Sequence, residues 1–246
     1  MSEVLPLADN EVHIWSVDTS CVSPELIAGY RALMSAQELE RNGRYRFEHS
    51  RHTDCVARAL VRTVLSRYVD KAPTEWTFAK GEHGKPELTH SPQPLRFNLS
   101  HSGDYVVCAV SWQKDVGLDI EYIERKNDVL AIADRFFSKP ELTDLFALPS
   151  ARQEDRFFDY WTLKEAYMKA HGQGISLGLG NFSFKLDDSD AIGVSFADKL
   201  EDNPADWCFR LFYPVPKYSM ALAFRIGDEN PQRFSVRQFS TIPLQG

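Results

Sequence analysis

Along this chain the hydrophobic period switches between two residues and three to four, and each switch marks an element. "EVHIWSV", residues 11–17, alternates and predicts a strand. "SPELIAGYRALMS" sets Leu26, Tyr30 and Leu33 at helical spacing behind Ser23 as N-cap and Pro24 at the first helical position. "RHTDCVARALVRTVLSRYV" carries Val56, Leu60, Thr63, Val64 and Arg67 on neighbouring turns, with arginines elsewhere, and predicts an amphipathic helix. Residues 80–94 have the Gly, Pro, His and Lys content of a loop, and "YVVCAVSW" has that of a buried strand. Further on, "NDVLAIADRFF" is helical in pattern. Another helix starts at Ser138, with Pro140 in its first turn and Glu141 three residues after the cap. A longer helix spans residues 152–170 and stops at "GQG". The remainder, "NFSFKL", "GVSFA", "WCFRLFYP" and "YSMALAFRI", is β in pattern.

One strand breaks the apolar rule. In "VGLDIE", Val116, Leu118 and Ile120 alternate with Gly117, Asp119 and Glu121, so two carboxylates leave one face about 6–7 Å apart. A solvated sheet face or arginine partners would account for them. So would a hard cation, since like charges this close on a buried surface repel unless one neutralises them. The helix containing "WTLKEAYMK" is a second acidic element: Glu165 and Lys169 share a face with Trp161, while Lys164 points about 100° away from Glu165. Alone, Glu165 and Lys169 form an ordinary helical pair. With Asp119 and Glu121, Glu165 completes three hard oxygen ligands of the kind magnesium takes beside phosphate; no soft or imidazole-rich set favours zinc or copper.

Composition narrows the choices. The chain has 246 residues, 43% hydrophobic and 12% aromatic, enough for one large domain or two small ones with packed cores. A net charge of -7 argues against a nucleic-acid partner. The run Arg41, Arg44, Arg46, Arg51, Arg58 and Arg62 is by default a solvated helical face. Cys21, Cys55, Cys108 and Cys208 are too far apart in sequence for a zinc knuckle or a redox pair, and Cys108 and Cys208 lie in apolar runs expected to be buried. There is no leader-like N-terminus and no membrane-length apolar run, so a reducing cytoplasm and no membrane are expected.

Two more stretches bear on phosphate. "GEHGKPEL" holds Lys85 before Pro86 in a glycine-bracketed loop, by default a turn. "FNLSHSGDY" ends a strand with Ser100, His101 and Ser102. These could hold an anion or cap a turn; neighbouring side chains diverge, so they cannot form a Ser-His nucleophile pair. A weak echo between "SGDYVVCAVSW" and "PKYSMALAFRI" suggests a duplicated α+β unit, with a tight boundary near residue 115 and the segments 1–115 and 116–246 as its halves.

"GKPEL", "FNLSHSGDY", "VGLDIE" and "WTLKEAYMK", in that order, together with "RFFSKPEL", resemble the Sfp-type 4'-phosphopantetheinyl transferases (holo-[acyl-carrier-protein] synthases). The resemblance implies an α+β fold of two similar α/β subdomains about a pseudo-twofold axis, with coenzyme A between the halves. The N-terminal half would take its nucleotide side, and the C-terminal half would carry the metal ligands and catalytic helix. It further implies Mg2+ on Asp119, Glu121 and Glu165, and Lys169 and Lys164 at the phosphates. Ser100 and His101 would hold the coenzyme's phosphates, and Lys85 and Pro86 would line the nucleotide pocket. Arg51 and His52 are the choices for the 3'-phosphate. A carrier-protein serine would attack the β-phosphate with Glu165, directly or through a metal-bound water, as base, while Lys169 and His101 counter charge.

The implied partners are acyl and peptidyl carrier proteins of peptide, polyketide and fatty-acid synthesis, and the implied state is a monomer. Carrier docking is expected at Arg125, Lys126, Arg135 and Lys139, within or beside "KNDVLAIADRFFSKPEL". The rivals are another magnesium-dependent phosphotransferase and a non-catalytic coenzyme A or carrier-binding module. The segment "VRQFSTIPLQG" carries no sequence reading.

Overall fold

The computed structural model describes residues 4–81, 83–124, 128–187 and 192–245. Two compact α+β units make up the chain. The first contains β1 (Glu11–Asp18), α1 (Pro24–Leu33), α2 (Ala36–Gly43), α3 (Glu48–Leu65), β2 (Phe78–Lys80), β3 (Pro86–Leu88), β4 (Leu95–Ser102) and β5 (Tyr105–Trp112). The second contains β6 (Val116–Tyr122), α4 (Val129–Phe136), α5 (Lys139–Ala147), α6 (Ser150–His171), β7 (Phe182–Leu186), β8 (Ile192–Phe196), β9 (Trp207–Phe212) and β10 (Tyr218–Arg225). Each unit thus runs strand, three helices, two-stranded ribbon and closing hairpin, and in each the last strand of the hairpin pairs with the first strand of the unit. The two segments that echo in sequence are these central strands, β5 and β10.

Residues 234–246 correct the expected division. They belong to the first unit, because β11 (Ser235–Ser240) pairs in parallel with β1. The tail is then tied down by Tyr30 Oη, which donates to the carbonyl of Pro243 at 2.8 Å.

Helix α3 fills the first unit's core, with Val56, Leu60 and Val64 fully buried alongside Val106, Cys108 and Val110 of β5. The arginine run is not a uniformly solvated face. Arg62 is 3% exposed, bonds Glu38 at 2.7 Å and stacks 4.8 Å from the Phe78 ring, while Arg58 lies between Glu38 and Asp54. These pairs join α2 to α3. Helix α2 itself begins at a capping box, Ser35 to Glu38. Cys108 and Cys208 are buried, as expected; Cys55 is also buried and Cys21 is exposed. No helix among the described residues is long and apolar enough to cross a membrane.

A buried histidine gives this unit an acid-side weakness. The Tyr68 hydroxyl accepts from Trp15 Nε1 at 2.7 Å and shares a hydrogen bond with His13 Nδ1 at 2.8 Å. His13 Nε2 lies 3.5 Å from Glu11 Oε2. Burial pushes the His13 pKa below 6.5; Glu11 opposes the shift and Arg237 of β11 adds to it. A depressed folded pKa means the unfolded chain takes the proton first, so stability falls as pH drops below 6.5. His13→Gln is expected to flatten that limb of a urea-unfolding series, and an unchanged slope would assign the limb to other groups.

Candidate active site

Strand β6 and helix α6 meet face to face. Gly117 makes this approach possible: a Cβ built there would fall on the Ala166 carbonyl oxygen and the Ala170 amide, with Ala170 Cα at 3.0 Å. Across the sheet, Gly117 is registered with Ala223 and Asp119 with Ala221, so the surface beneath the helix is made of small residues. The alternation that places Gly117 under α6 turns Asp119 and Glu121 the same way. On α6, residues 160–170 are buried except for Trp161, Glu165 and Lys169, one half-buried stripe at i, i+4 and i+8. The helix ends at Gly172, whose φ of 86° an L side chain rarely adopts.

The stripe and the strand form one electrostatic unit. Lys169 Nζ bonds Asp119 Oδ1 at 2.6 Å and the Leu118 carbonyl at 3.2 Å. The Glu165 pKa is raised to about 7, first by burial and then by Asp119, with Lys169 opposing and Glu121 adding a smaller push. Asp119 and Glu165 therefore lie on the same side of the sheet and repel each other. Three hard carboxylates under mutual repulsion suit a divalent cation. Among the described residues no group of three His, Cys, Asp or Glu side chains is already drawn together as a ligand cage.

Lys164 departs from expectation. It is fully buried, and its ammonium bonds the carbonyls of Leu179 at 2.7 Å and Phe182 at 2.8 Å and the Glu141 carboxylate at 2.8 Å. With all three donors met inside the protein, it cannot contact a phosphate of coenzyme A. Burial pushes its pKa down and Glu141 pulls it back up. Removing either partner alone strands a buried charge. Lys164→Ala is therefore expected to cost roughly 3–5 kcal/mol, read as a lower urea midpoint.

The other candidates belong to the first unit. Lys85 is half-buried and Pro86 exposed at the β2–β3 turn, where Gly81 N bonds the Lys85 carbonyl at 2.8 Å. Ser100 is buried and His101 exposed on β4, opposite Val107 and Val106 of β5. Arg51 and His52 are engaged elsewhere. Arg51 Nη1 donates to the carbonyls of Tyr45 at 2.7 Å and Arg46 at 3.3 Å, and His52 Nε2 lies 3.0 Å from the Thr19 carbonyl. A cleft of about 540 Å³ is lined by Arg41, Arg44, Arg58, Lys80, Gly84 and Pro86 together with Glu38 and Glu40, which pair with Arg58 and Arg44. Arg41 and Arg44 were visible in the sequence only as members of the arginine run. Arg135 and Lys139 are exposed on α4 and α5 beside the exposed Phe136, while Arg125 and Lys126 lie outside the described residues.

Three carboxylates and a lysine on one seam of the second unit suit the chemistry of a phosphate-bearing ligand. The profile of the 4'-phosphopantetheinyl transferase superfamily matches residues 115–223, and that of the 4'-phosphopantetheinyl transferase N-terminal region matches residues 23–113. The chain is 36% identical over 174 residues to the 4'-phosphopantetheinyl transferase HetI of Nostoc sp., covering 70% of this chain and 73% of that protein. It is 34% identical over 194 residues to the 4'-phosphopantetheinyl transferase Sfp of Bacillus subtilis, covering 78% and 83%. Among solved structures, a holo-(acyl-carrier-protein) synthase of Bacillus anthracis in complex with CoA (3',5'-ADP) matches at TM-score 0.40 and 18% identity, over 46% of this chain and 96% of that one. The chain belongs to the 4'-phosphopantetheinyl transferase family.

Proposed function

We propose that the protein moves 4'-phosphopantetheine from coenzyme A to a serine of an acyl or peptidyl carrier protein. The observation that carries the chemistry is the seam itself, in which the half-buried Glu165 carboxyl faces Asp119 one helical turn from Lys169, whose ammonium bonds Asp119 at 2.6 Å. A serine hydroxyl is a weak nucleophile and needs a positioned base, which works best with a pKa near the operating pH. Glu165 takes the serine proton as the serine oxygen forms its bond to the β-phosphorus. The bond from that phosphorus to the bridging oxygen breaks, and adenosine 3',5'-bisphosphate leaves with the electron pair. Lys169 offsets charge on the phosphoryl oxygens, a part the family resemblance gives to His101 as well. A hard divalent cation such as Mg2+, held by Asp119, Glu121 and Glu165, would supply charge neutralisation at the diphosphate.

In this reading the first unit takes the nucleotide side, through Lys85, Pro86, Ser100 and His101. The 3'-phosphate falls to Arg41 and Arg44 in the cleft, where Arg44 also bonds the exposed Glu40; Arg51 and His52, each partly engaged with backbone carbonyls, are the alternative. Arg41→Ala and Arg44→Ala are each expected to raise KM for coenzyme A at least about tenfold, the worth of one charged hydrogen bond. Dephospho-coenzyme A should then be used almost as well as coenzyme A; a preserved preference would place the 3'-phosphate elsewhere. Arg135, Lys139 and Phe136 are the proposed docking surface for an acidic carrier. A monomer in the cytoplasm is the proposed working form, with no part for nucleic acid or a membrane. Chromatography of the nucleotide product tests the reaction. The bisphosphate is expected; inorganic phosphate or a nucleoside monophosphate would indicate a different phosphotransferase.

A further inference from the structure

Lys164 touches no substrate in this scheme, yet it lies next to Glu165 on α6 in the most fully bonded ion pair of the second unit's described residues. We infer that the Lys164–Glu141 pair sets the roll of α6 about its axis and thereby aims Glu165; this rests on the transferase reading above. Successive residues of a helix point about 100° apart, so Glu165 bisects the directions of Lys164 and Ala166. On the Ala166 side the helix rests on Gly117, whose cross-strand neighbour is Ala223. Small residues let the two backbones approach, but they interlock little, so this contact fixes distance better than rotation.

Rotation is resisted on the Lys164 side, where buried Tyr160 and Tyr167 bond Asp144 and Asp202 and the ion pair adds the most directional contacts. The Lys164 ammonium reaches the Leu179 and Phe182 carbonyls and Glu141. Glu141 in turn accepts from the Ser138 backbone N at 2.9 Å, from Ser138 Oγ at 2.8 Å and from Phe184 N at 2.9 Å. One ion pair therefore ties α6 to the start of α5, to the turn before β7 and to β7 itself. Apolar side chains could fill the same space but would lack these directions. At a radius of about 6 Å, a 10° roll moves the outer end of a side chain by about 1 Å. A displacement of that size costs on the order of 100-fold in rate.

The experiment uses the full chain bearing Glu141→Gln and Lys164→Met together, which removes both charges. The wild type and the double variant are compared by circular dichroism, by kcat and KM for coenzyme A, and by the fluorine resonance of 5-fluorotryptophan at Trp161, assigned with Trp161→Phe. Trp161 shares the stripe of Glu165, so its resonance reports roll without any turnover. We expect a folded variant with kcat down on the order of 100-fold, KM unchanged and the Trp161 line shifted or broadened. A folded variant with wild-type kcat and a wild-type Trp161 line overturns the inference. Should the double variant fail to fold, Glu141→Asp decides. It keeps both charges one methylene further apart, and it should move kcat and the line in the same directions, whereas wild-type values for both would overturn the inference. Absence of transfer by the wild type itself would defeat the transferase reading, while the fluorine spectra would still decide the roll.

Discussion

Glu165→Gln is expected to melt above the wild type and to transfer phosphopantetheine about 1000-fold more slowly, the usual worth of a general base. The two effects have one cause. Burial and the neighbouring Asp119 and Glu121 raise the carboxyl from 4.5 to about 7, and Lys169 compensates only partly. A folded pKa above the unfolded one contributes stability that is complete below pH 4.5 and is lost as pH rises through about 7. The ionised carboxylate is therefore a cost to the fold at the pH where a base is needed. Glutamine keeps the shape and removes that cost, so its melting advantage in metal-free buffer should grow from about pH 4.5 upward and level off above about pH 7. Calorimetry across that range, paired with kcat, checks both halves. A variant that melts lower would mean the cluster is not under repulsion, and one with undiminished kcat would remove Glu165 as the base.

Gly117→Ala should be the most damaging single-methyl change in the second unit. The added carbon falls on the Ala166 carbonyl and the Ala170 amide, both backbone atoms of a helix that cannot move aside alone. We expect a loss of about 3 kcal/mol or more in stability, as for severe overpacking. In the folded fraction, α6 must lift from β6, separating Lys169 from Asp119 and Glu165 from its neighbours, and transfer should fall on the order of 100-fold. Urea unfolding and activity at a temperature well below the melting point separate the two effects. A stable, active Gly117→Ala protein would show that the close approach of strand and helix is not needed.

The seam was legible in the sequence because both of its periods are short. In β6 the two-residue alternation already placed Gly117, Asp119 and Glu121 together, and on α6 the four-residue spacing placed Glu165 with Lys169 and Trp161. What local pattern could not give was the partner of each charge. Lys164 was assigned to a phosphate by the family resemblance, but its destination is Glu141, which lies on a different helix. Arg62 was counted with a solvated face, yet its side chain is closed over by Glu38 of α2 and Phe78 of β2. Helix α2 had a sequence signal in the Ser35–Glu38 box that the charge of the arginine run obscured. The C-terminal strand had none, because a parallel pairing with β1 depends on contacts from the far end of the chain.

Transfer by these residues is tested most directly by intact-mass spectrometry of apo acyl and peptidyl carrier proteins incubated with coenzyme A, Mg2+ and this protein. We expect each accepted carrier to gain the mass of one phosphopantetheine at its serine, and to gain none with Glu165→Gln over the same interval. Unmodified carriers in every case, with the protein folded and coenzyme A bound, would contradict the assignment.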